Sequence, residues 1–488
     1  MVKNNIKNVL LIRPNSTGDK KDTYITFPLG IGYIASVLKQ NNYNVSVIDL
    51  TIEDVDYTEL KDRIIKLKPD IIGLTALSYS YVQVKKISEY LKTFLSCKII
   101  LGGHLSDHSY KLVLEKTNVD ICVIGEGEIT IVDLLKNIDN PSIVNGIAYK
   151  DKSQVFITTP RPPILDLDTI PFPAYELFDM EQYIKLDDVY ISKKYMKKGV
   201  VHKKIQIEAG RGCPYNCNFC SKIFTKVRKR SVDHLVKEIK FLLEKYGIDV
   251  YGFQDELLFS NKKYIFEFCE KIKDLEITWY GNARINTVSE EIIKKAKDNK
   301  CLEIAYGVES GSETILKNMN KKITPKQIEK ILSYTIKIGF PFDMGLILGY
   351  PGENENTIKE TIDLFKKIGY PALKFRYITP YPGSQLYDFC LESGLIKNEE
   401  EYLESIGDGT GPYRFRINFT DFTDERLSEI LKETTDKTFR NYIFYLLKHP
   451  NKLFSRILRK DITNPFFVLY NRRKNPTNYD KARKIKKA

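Results

Sequence analysis

Three cysteines, Cys213, Cys217 and Cys220, stand at CxxxCxxC spacing within a short, glycine-led stretch. Three thiols on so short a loop can converge on one soft metal centre, because thiolates prefer iron–sulfur clusters and zinc to hard cations. A closed zinc site needs a fourth ligand, and no other Cys or His stands within a few residues. A zinc knuckle or three structural cysteines is the alternative. The strand-like residues 204–208 that lead into the loop favour an iron–sulfur cluster with one iron open to a ligand.

This loop resembles the signature of the radical S-adenosylmethionine (SAM) superfamily, which has the same spacing and commonly an aromatic residue before the third cysteine, here Phe219. The resemblance implies a four-iron four-sulfur cluster held by Cys213, Cys217 and Cys220, with Phe219 among the cofactor-binding residues. It also implies that the open iron binds the amino and carboxylate groups of SAM. The reduced cluster of that family cleaves SAM to methionine and a 5′-deoxyadenosyl radical, so these cysteines would be the catalytic centre.

Length and composition are those of a soluble globular protein with two or three domains: 488 residues, 42% of them hydrophobic and 28% charged. The five other cysteines are scattered singly, which indicates neither a disulfide framework nor a second cluster. A reducing cytoplasm fits this usage best. No stretch approaches about 20 apolar residues and the N-terminus lacks a signal-peptide pattern, so we expect neither secretion nor a membrane span.

The net charge of +13 is concentrated at the C-terminus. Residues 448–488 contain thirteen Lys and Arg against two Asp, a net charge of +11. The remainder of the chain is close to neutral. A basic channel for nucleic acid through the body of the protein is therefore not expected.

Residues 1–143 alternate short apolar runs with helical patterns, which predicts a doubly wound parallel α/β sheet of the Rossmann type. Ligands bind such sheets beyond the carboxyl ends of the strands. No GxGxxG fingerprint follows the first strand, so NAD or FAD is not expected. The predicted strands are residues 8–13, 44–49, 70–76, 98–102 and 120–125, and the predicted helices are residues 29–40, 57–67, 82–94 and about 109–116.

This half resembles the cobalamin-binding domain that precedes the radical domain in many radical SAM enzymes. The resemblance rests on the sequence of residues 27–33 at the start of the first helix, on the Gly-Gly-His of residues 102–104 and on the Gly-Glu-Gly-Glu of residues 125–128. It implies bound cobalamin. The candidate cofactor-binding residues at the strand ends are Thr75, Ser78, Gly102, Gly103, His104, Gly125, Glu126 and Gly127.

The histidines of this chain do not form the DxHxxG motif with which other cobalamin domains ligate cobalt from below. None lies in the loop after the first strand, where that motif belongs. We therefore expect a base-off cobalamin without histidine on the metal, as the resemblance also implies. His104 would contact the periphery of the cofactor, or would simply be a loop histidine beside a Gly-Gly turn.

Residues 144–200 are predicted to be a connector between the two domains. Residues 144–150 and 155–159 predict a hairpin, and the prolines of residues 160–173 prevent regular structure beyond it.

Residues 201–383 resume the alternation of strands and helices, and six repeats predict a partial (β/α)6 barrel. Chemistry in such a barrel collects at the carboxyl ends of its strands. The predicted strands are residues 204–209, 249–254, 277–282, 302–308, 341–348 and 372–378, with helices at residues 232–246, 325–338 and 357–368.

Polar residues at those strand ends are the candidates for SAM. Asp255 and Glu309 could meet the ammonium group or the ribose hydroxyls, and Arg284 could pair with the carboxylate. Gln254 and Ser310 complete the set. For each of them a solvated loop residue is the alternative.

Residues 384–488 predict a small, mainly helical and basic C-terminal domain. We favour a packed helical cap with a solvated basic tail, because no clean amphipathic helix runs through the basic region. The alternative is a peripheral contact with the inner face of a membrane.

Together these features predict an enzyme that uses a four-iron four-sulfur cluster, SAM and cobalamin to methylate an unactivated carbon. A radical oxidative cyclase of the magnesium-protoporphyrin monomethyl ester type is the first alternative, and a non-catalytic cobalamin or iron–sulfur sensor is the second. Expected partners are a small-molecule or lipid-like substrate and a low-potential electron donor such as flavodoxin or ferredoxin. The expected location is cytoplasmic.

Overall fold

The computed structural model describes residues 6–15, 26–53, 55–186, 202–370, 375–408, 411–434 and 447. The chain divides into two compact units. Unit 1 comprises Met1–Asp188, Ser221–His234 and Pro380–Gly409. Unit 2 comprises Val189–Cys220, Leu235–Thr379 and Thr410–Ala488.

The strands of the described residues, in chain order, are β1 Asn8–Arg13, β2 Asn44–Asp49, β3 Ile71–Thr75, β4 Lys98–Gly102, β5 Ile121–Val123, β6 Ile147–Asp151, β7 Gln154–Ile157, β8 Lys204–Ile207, β9 Gly210–Arg211, β10 Arg228–Lys229, β11 Val250–Phe253, β12 Thr278–Arg284, β13 Cys301–Glu309, β14 Phe342–Leu348 and β15 Phe375–Tyr377.

The helices are α1 Leu29–Gln40, α2 Tyr57–Leu67, α3 Tyr81–Lys92, α4 His104–Lys116, α5 Gly127–Lys136, α6 Met180–Leu186, α7 Val232–Tyr246, α8 Lys262–Ile272, α9 Glu290–Asp298, α10 Glu313–Asn318, α11 Pro325–Lys337, α12 Glu355–Ile368, α13 Gln385–Glu392 and α14 Glu399–Ile406.

Unit 1 is built on a sheet with the strand order β2-β1-β3-β4-β5-β6-β7. The first five of these strands pair in parallel, with Val9 opposite Val45 on one side and Ile71 on the other. The predicted doubly wound parallel sheet is confirmed. Because β1 lies between β2 and β3, the strand order reverses at β1, and such reversals are where doubly wound sheets bind ligands. The core packs β1 against α1 and α5 through Leu11, Ile31 and Leu134.

The predicted hairpin is present as β6 and β7, and it extends the sheet of unit 1. β6 pairs antiparallel with β5, with Cys122 opposite Ala148. Ile147 and Ala148 are fully buried, which explains why the hairpin packs on the sheet rather than standing free.

Unit 1 also contains the residues that follow the barrel. Tyr81 on α3 donates a hydrogen bond to the Glu400 carboxylate at 2.7 Å, and Lys85 pairs with the same carboxylate at 2.8 Å. Tyr402 donates to the Pro380 carbonyl at 2.7 Å. α13 and α14 are therefore part of this unit, although they come long after β7, the last strand of its sheet.

Unit 2 contains six parallel strands in the order β8-β11-β12-β13-β14-β15. β8 and β15 are the two edges of this sheet, so the predicted partial (β/α)6 barrel is confirmed. The buried and half-buried residues of β13 alternate along its length, as expected for a strand with its two faces in different surroundings. Trp279 fills the space under α8, in contact with Phe253, Phe259 and Phe268.

Most of the predicted C-terminal domain lies outside the described residues, including nearly all of its basic region. Residues 424–434 are helical, and the Leu427 carbonyl accepts a hydrogen bond from Tyr377 at 3.3 Å. The predicted domain boundaries at residues 143, 200 and 383 stay predictions. Within the described ranges, no helix combines the length and the apolar character needed to cross a membrane.

Candidate functional site

The cysteine loop of unit 2 is fixed at its start by two carboxylates from the loop after β11. The Asp255 carboxylate accepts the Ala209 N–H at 2.8 Å, and the Glu256 carboxylate accepts the Gly212 N–H at 3.1 Å. Gly212 has a φ of +92°, which only glycine adopts readily. The loop therefore begins with a backbone geometry that is set by its neighbours.

The middle of the loop is fastened to the turn after α10. The Asn218 N–H donates to the Met319 carbonyl at 3.1 Å, and the Asn218 side chain donates to the Asn318 carbonyl at 2.9 Å. In return, Asn320 donates to the Asn216 carbonyl at 2.6 Å. The residues between the cysteines are thus held by backbone groups outside the loop.

Cys213 and Cys217 are half-buried, and Cys220 is exposed. In the part of the chain that the structure describes, no three Cys, His, Asp or Glu side chains are arranged to hold a single metal ion. The chemistry of the donors is nevertheless specific: three soft thiols on one loop suit an iron–sulfur cluster and not a hard cation.

Arg284, at the end of β12, is the cation beside these thiols. Its Nη1 donates to the Cys217 sulfur at 3.3 Å, and its guanidinium lies 3.9 Å from the centre of the Tyr215 ring. Arg284 is only 6% exposed. Its Nε and Nη2, which share one edge of the guanidinium, are buried and have no partner among the described residues. That edge is shaped to receive a carboxylate through two parallel hydrogen bonds.

Glu309 and Phe219 both contact the side chain of Lys321. Lys321 donates to the Glu309 carboxylate at 2.7 Å and lies 5.7 Å from the centre of the Phe219 ring. Glu309 has a φ of +70°, and non-glycine residues in this region concentrate at functional sites. The structure therefore places these two predicted residues in one group.

The other SAM candidates lie in different surroundings. Asp255 is buried and supports the cysteine loop, and Gln254 is exposed. Ser310 is 1% exposed, lies 3.3 Å from the Thr361 hydroxyl and accepts the Ser312 N–H at 3.1 Å. Asp255 and Ser310 thus have local structural roles.

In unit 1, the glycine-bearing strand ends form the second candidate site. Gly102 ends β4, and α4 begins directly after Gly103, which has a φ of +89°. The Gly-Gly pair makes the turn in so few residues that His104 is already helical, so α4 starts earlier than the expected residue 109. The predicted helix is the part of α4 that follows Ser109, where a φ of −129° interrupts the helical conformation. The early start places His104 and His108 one turn apart, with ring centres 5.4 Å apart.

Three side chains on α4 bring buried polar atoms to this site. Asp107 accepts the Gly125 N–H at 2.6 Å through one oxygen. Its other oxygen, Nε2 of His108 and the Ser109 hydroxyl are buried without a partner among the described residues. Burial raises the pKa of Asp107 to about 7, and burial together with the neighbouring His104 lowers the pKa of His108 to about 4.

Two glycines leave backbone uncovered at the strand ends. A Cβ atom added to Gly102 or Gly125 would meet nothing within 4 Å. Thr75 lies beside Gly103, whose added Cβ would come within 3.2 Å of the threonine hydroxyl. Ser78 is buried in the turn that follows β3. Open backbone and orphaned polar atoms at one edge fit a bulky cofactor such as cobalamin.

Two of the predicted residues at this edge have contacts inside the protein. Glu126 pairs with Arg228 at 2.8 Å and accepts the Ile164 N–H at 2.6 Å. Gly127 packs against Ile34, with 2.9 Å to an added Cβ atom. Their contacts hold the connector and the helices of unit 1 in place.

His104 lies beside Ser221, which belongs to the Ser221–His234 segment of unit 1. Its Nδ1 is 3.5 Å from the Ser221 hydroxyl, which donates to the Pro382 carbonyl at 2.6 Å. His108 packs on Gly383, where an added Cβ atom would lie 2.3 Å from the imidazole. Ser221 and Gly383 therefore pack against α4 within unit 1.

Sequence reasoning missed Asp107, His108, Tyr215 and Lys321. The spacing of His104 and His108 by four residues, directly after a Gly-Gly pair, was a usable indication of a helix with both histidines on one face. Lys321 had no such indication, since its pairing with Glu309 depends on the tertiary fold.

Two family models match this chain. The Radical SAM superfamily matches residues 207–365, and the B12 binding domain matches residues 20–135. The first covers most of the half-barrel with the cysteine loop, and the second covers most of the parallel sheet. These matches assign a four-iron four-sulfur cluster and SAM to unit 2 and cobalamin to unit 1.

Similar proteins match nearly the whole chain. Uncharacterized methyltransferase PH0819 of Pyrococcus horikoshii is 30% identical over 470 residues, covering 94% of this chain and 95% of the relative. Anaerobic magnesium-protoporphyrin IX monomethyl ester cyclase of Rubrivivax gelatinosus is 28% identical over 466 residues, covering 90% of this chain and 81% of the relative.

A solved structure has the same fold. It is that of the radical SAM methyltransferase TsrM from Kitasatospora setae with cobalamin and a 4Fe-4S cluster bound, with a TM-score of 0.65 at 16% identity over 79% of this chain and 74% of that one. Since both family models match in order along one chain, and a relative at 30% identity aligns over 95% of its own length, the protein belongs to the radical SAM superfamily, among the enzymes that carry a B12-binding domain.

Proposed function

We propose that this enzyme methylates an unactivated carbon of a small-molecule or lipid-like substrate by a radical mechanism. One observation carries the proposal: a single chain contains a cysteine loop at the strand ends of a half-barrel and a glycine-edged B12-binding sheet, and it is similar from end to end to a relative named as a methyltransferase. When bound, SAM at the cluster supplies a 5′-deoxyadenosyl radical that removes a hydrogen atom, and cobalamin supplies the methyl group.

In this proposal, Cys213, Cys217 and Cys220 are the cluster ligands. Arg284 helps to position Cys217, because its Nη1 donates a hydrogen bond to the cysteine sulfur. The free Nε and Nη2 edge of Arg284 binds the carboxylate of SAM. Tyr215 holds the guanidinium plane in place by stacking on it.

Glu309 is the residue we assign to the ribose hydroxyls of SAM. One carboxylate oxygen accepts a hydrogen bond from Lys321, so the side chain is fixed before the ligand arrives, and the second oxygen can accept a hydrogen bond from a ribose hydroxyl. Asp255 acts indirectly, since its carboxylate holds the start of the cysteine loop.

In unit 1, cobalamin would lie against Gly102, Gly103 and Gly125, with the polar groups of Asp107 and His108 beside it. We keep the expectation that no histidine ligates cobalt from below, because residues 14–28, which link β1 to α1, contain none. The alternative of a non-catalytic cobalamin or iron–sulfur sensor is not favoured, because the chain contains both the radical SAM and the B12-binding domain. A low-potential electron donor and a cytoplasmic location belong to the same proposal.

Product stoichiometry tests methyl transfer. Metabolites that accumulate when the gene is removed identify the substrate, which is then given to the reconstituted enzyme with SAM and a chemical reductant. Methylation of a carbon should consume two SAM molecules per turnover, and yield S-adenosylhomocysteine and 5′-deoxyadenosine in equal amounts with a product heavier by one methylene. Deoxyadenosine without S-adenosylhomocysteine and without that mass gain would exclude methyl transfer and favour the cyclase reaction.

A further inference from the structure

We infer that three exposed lysines beside the cysteine loop form the docking surface for an acidic, low-potential electron-transfer protein. Lys317 lies in the last turn of α10, Lys322 lies in the turn between α10 and α11, and Lys326 lies in the first turn of α11. We call these three residues the lysine shoulder. The inference rests on the proposed function, since it concerns how the electron that radical formation requires is delivered.

The lysine shoulder is positively charged, with Glu313 four residues before Lys317 and Glu329 three residues after Lys326 as the nearest acidic residues in the sequence. Residues 317–326 contain four lysines and no acidic residue. Lys321 is buried and neutralised by Glu309. The three lysines of the shoulder are exposed, and none of them makes an ion pair with a described residue. Their combined charge is therefore available to a partner.

The shoulder is joined firmly to the cysteine loop. Hydrogen bonds connect the turn to Asn216 and Asn218, which stand between the cysteines. The Asn318 side chain also donates to the Pro351 carbonyl at 3.1 Å. A protein that docks on this turn is consequently held next to the loop that carries the thiols, and exposed Cys220 belongs to the same loop.

Two of the three lysines lie where local structure disfavours them. Lys322 has a φ of +52°, a conformation that non-glycine residues other than Asn and Asp rarely adopt. Lys326 follows Pro325 at the start of α11, where the helix dipole is positive and a cation is unfavourable.

The occupant is identified by charge and by chemistry. Flavodoxins and ferredoxins are small acidic proteins, and opposite charges steer such partners into contact and fix their orientation. On docking, one electron leaves the reduced centre of the donor, which is oxidised, and enters the cluster, which is reduced. No bond is made or broken, and no proton has to move.

The test compares the full-length protein with the triple variant Lys317→Gln, Lys322→Gln and Lys326→Gln. Binding of purified flavodoxin, and separately of ferredoxin, is measured by calorimetry at low and moderate salt. The wild type should bind one of them with an affinity that falls as salt rises. Removing three charges should weaken binding at low salt by roughly tenfold, since each exposed charge contributes a modest amount.

The matched control is the triple variant Lys237→Gln, Lys240→Gln and Lys263→Gln, which removes three exposed lysines from α7 and α8. It should bind the donor as the wild type does. Deoxyadenosine formation driven by dithionite should be the same in both triple variants and the wild type, whereas formation driven by reduced flavodoxin should fall only in the shoulder variant.

Several outcomes would overturn the docking surface. In the binding measurements, they are equal donor affinity in the shoulder variant and the wild type, or no binding of either donor by the wild type. In the activity measurements, it is loss of dithionite-driven deoxyadenosine formation in the shoulder variant. Displacement of the donor by inorganic pyrophosphate at matched ionic strength would also overturn it, because it would indicate a small-anion site. If dithionite yields no deoxyadenosine even with the wild type, the proposed function fails, and the binding measurements still decide on docking.

Discussion

Nη1 of Arg284 lies 3.3 Å from the sulfur of Cys217, so a buried guanidinium contacts one of the three thiols on the cysteine loop. The same guanidinium presents an unpaired Nε and Nη2 edge. Arg284→Lys keeps the charge but loses both the two-pronged edge and the stacking on Tyr215. We expect the dissociation constant for SAM to rise by about ten- to a hundredfold, the equivalent of a charged hydrogen bond of roughly 1.5–3 kcal/mol. Equilibrium binding measures the change, and Arg376→Lys, at an exposed position on β15, should bind SAM normally.

Replacing a single thiol should abolish radical formation. Cys217→Ala leaves two thiols on the loop, which we expect to be too few to retain the cluster, so iron content and deoxyadenosine production should both be lost. Cys97→Ala removes a half-buried thiol in unit 1 and is the control. Full iron content in Cys217→Ala would show that the cluster ligands lie elsewhere.

Filling the open space at the end of β4 should expel cobalamin without unfolding unit 1. A Cβ atom at Gly102 meets nothing within 4 Å, so Gly102→Val adds bulk into space that we assign to the cofactor. After reconstitution and desalting, the visible absorbance of bound cobalamin should drop severalfold while the thermal unfolding midpoint changes little. Ser153→Val adds similar bulk to the exposed turn between β6 and β7 and should leave cobalamin bound. Wild-type cobalamin content in Gly102→Val would contradict this site.

Glu353 should make the stability of the protein fall as pH rises. Burial raises the pKa of Glu353 from 4.5 to about 7, even though the carboxylate accepts the Gly349 N–H. Between those pH values the folded protein keeps a proton that the unfolded chain has released, so the stabilisation is complete below about pH 4.5 and is lost as pH rises through about 7. Glu353→Gln keeps the side-chain shape and cannot lose a proton.

The free energy of unfolding of Glu353→Gln, relative to that of the wild type, should therefore increase by on the order of 3 kcal/mol between about pH 5 and about pH 8. Denaturant titrations across this range provide the measurement. Glu313→Gln, which changes an exposed carboxylate on α10, is the matched control. A difference between Glu353→Gln and the wild type that does not vary with pH would refute the assignment.

The Glu126–Arg228 pair should contribute to the stability of unit 1. The two side chains are 6% and 7% exposed, and both contact the backbone of Ile164. Glu126→Gln leaves a buried guanidinium without its counterion and should cost about 3–5 kcal/mol in urea unfolding. The double variant Glu126→Leu and Arg228→Met removes both charges and should cost less. Equal losses in the single and double variants would mean that the pair is not coupled.

The predictable parts of this protein were those that depend on neighbouring residues. The cysteine loop is a local pattern, and strands such as β1 and β13 follow from short apolar runs, so the two sheets could be predicted from the sequence. The start of α4 could not, because Gly102 and Gly103 also fit a longer loop. Periodicity was equally uninformative about the pairing of Glu126 with Arg228, which stand 102 residues apart. Contacts of that kind depend on how the elements pack, and packing leaves no period in the sequence.

The discontinuity of unit 1 has a consequence for biosynthesis. Its sheet is complete within the first 188 residues, yet Tyr81 and Lys85 on α3 receive their partner, Glu400, only from the segment Pro380–Gly409. At about 5 to 20 residues per second, a ribosome needs roughly 10 to 45 s to pass from residue 188 to residue 409. During that interval the nascent unit exposes an unfinished face that chaperones can recognise. A premature stop codon after the barrel would consequently damage the N-terminal unit, although all of its sheet had already been translated.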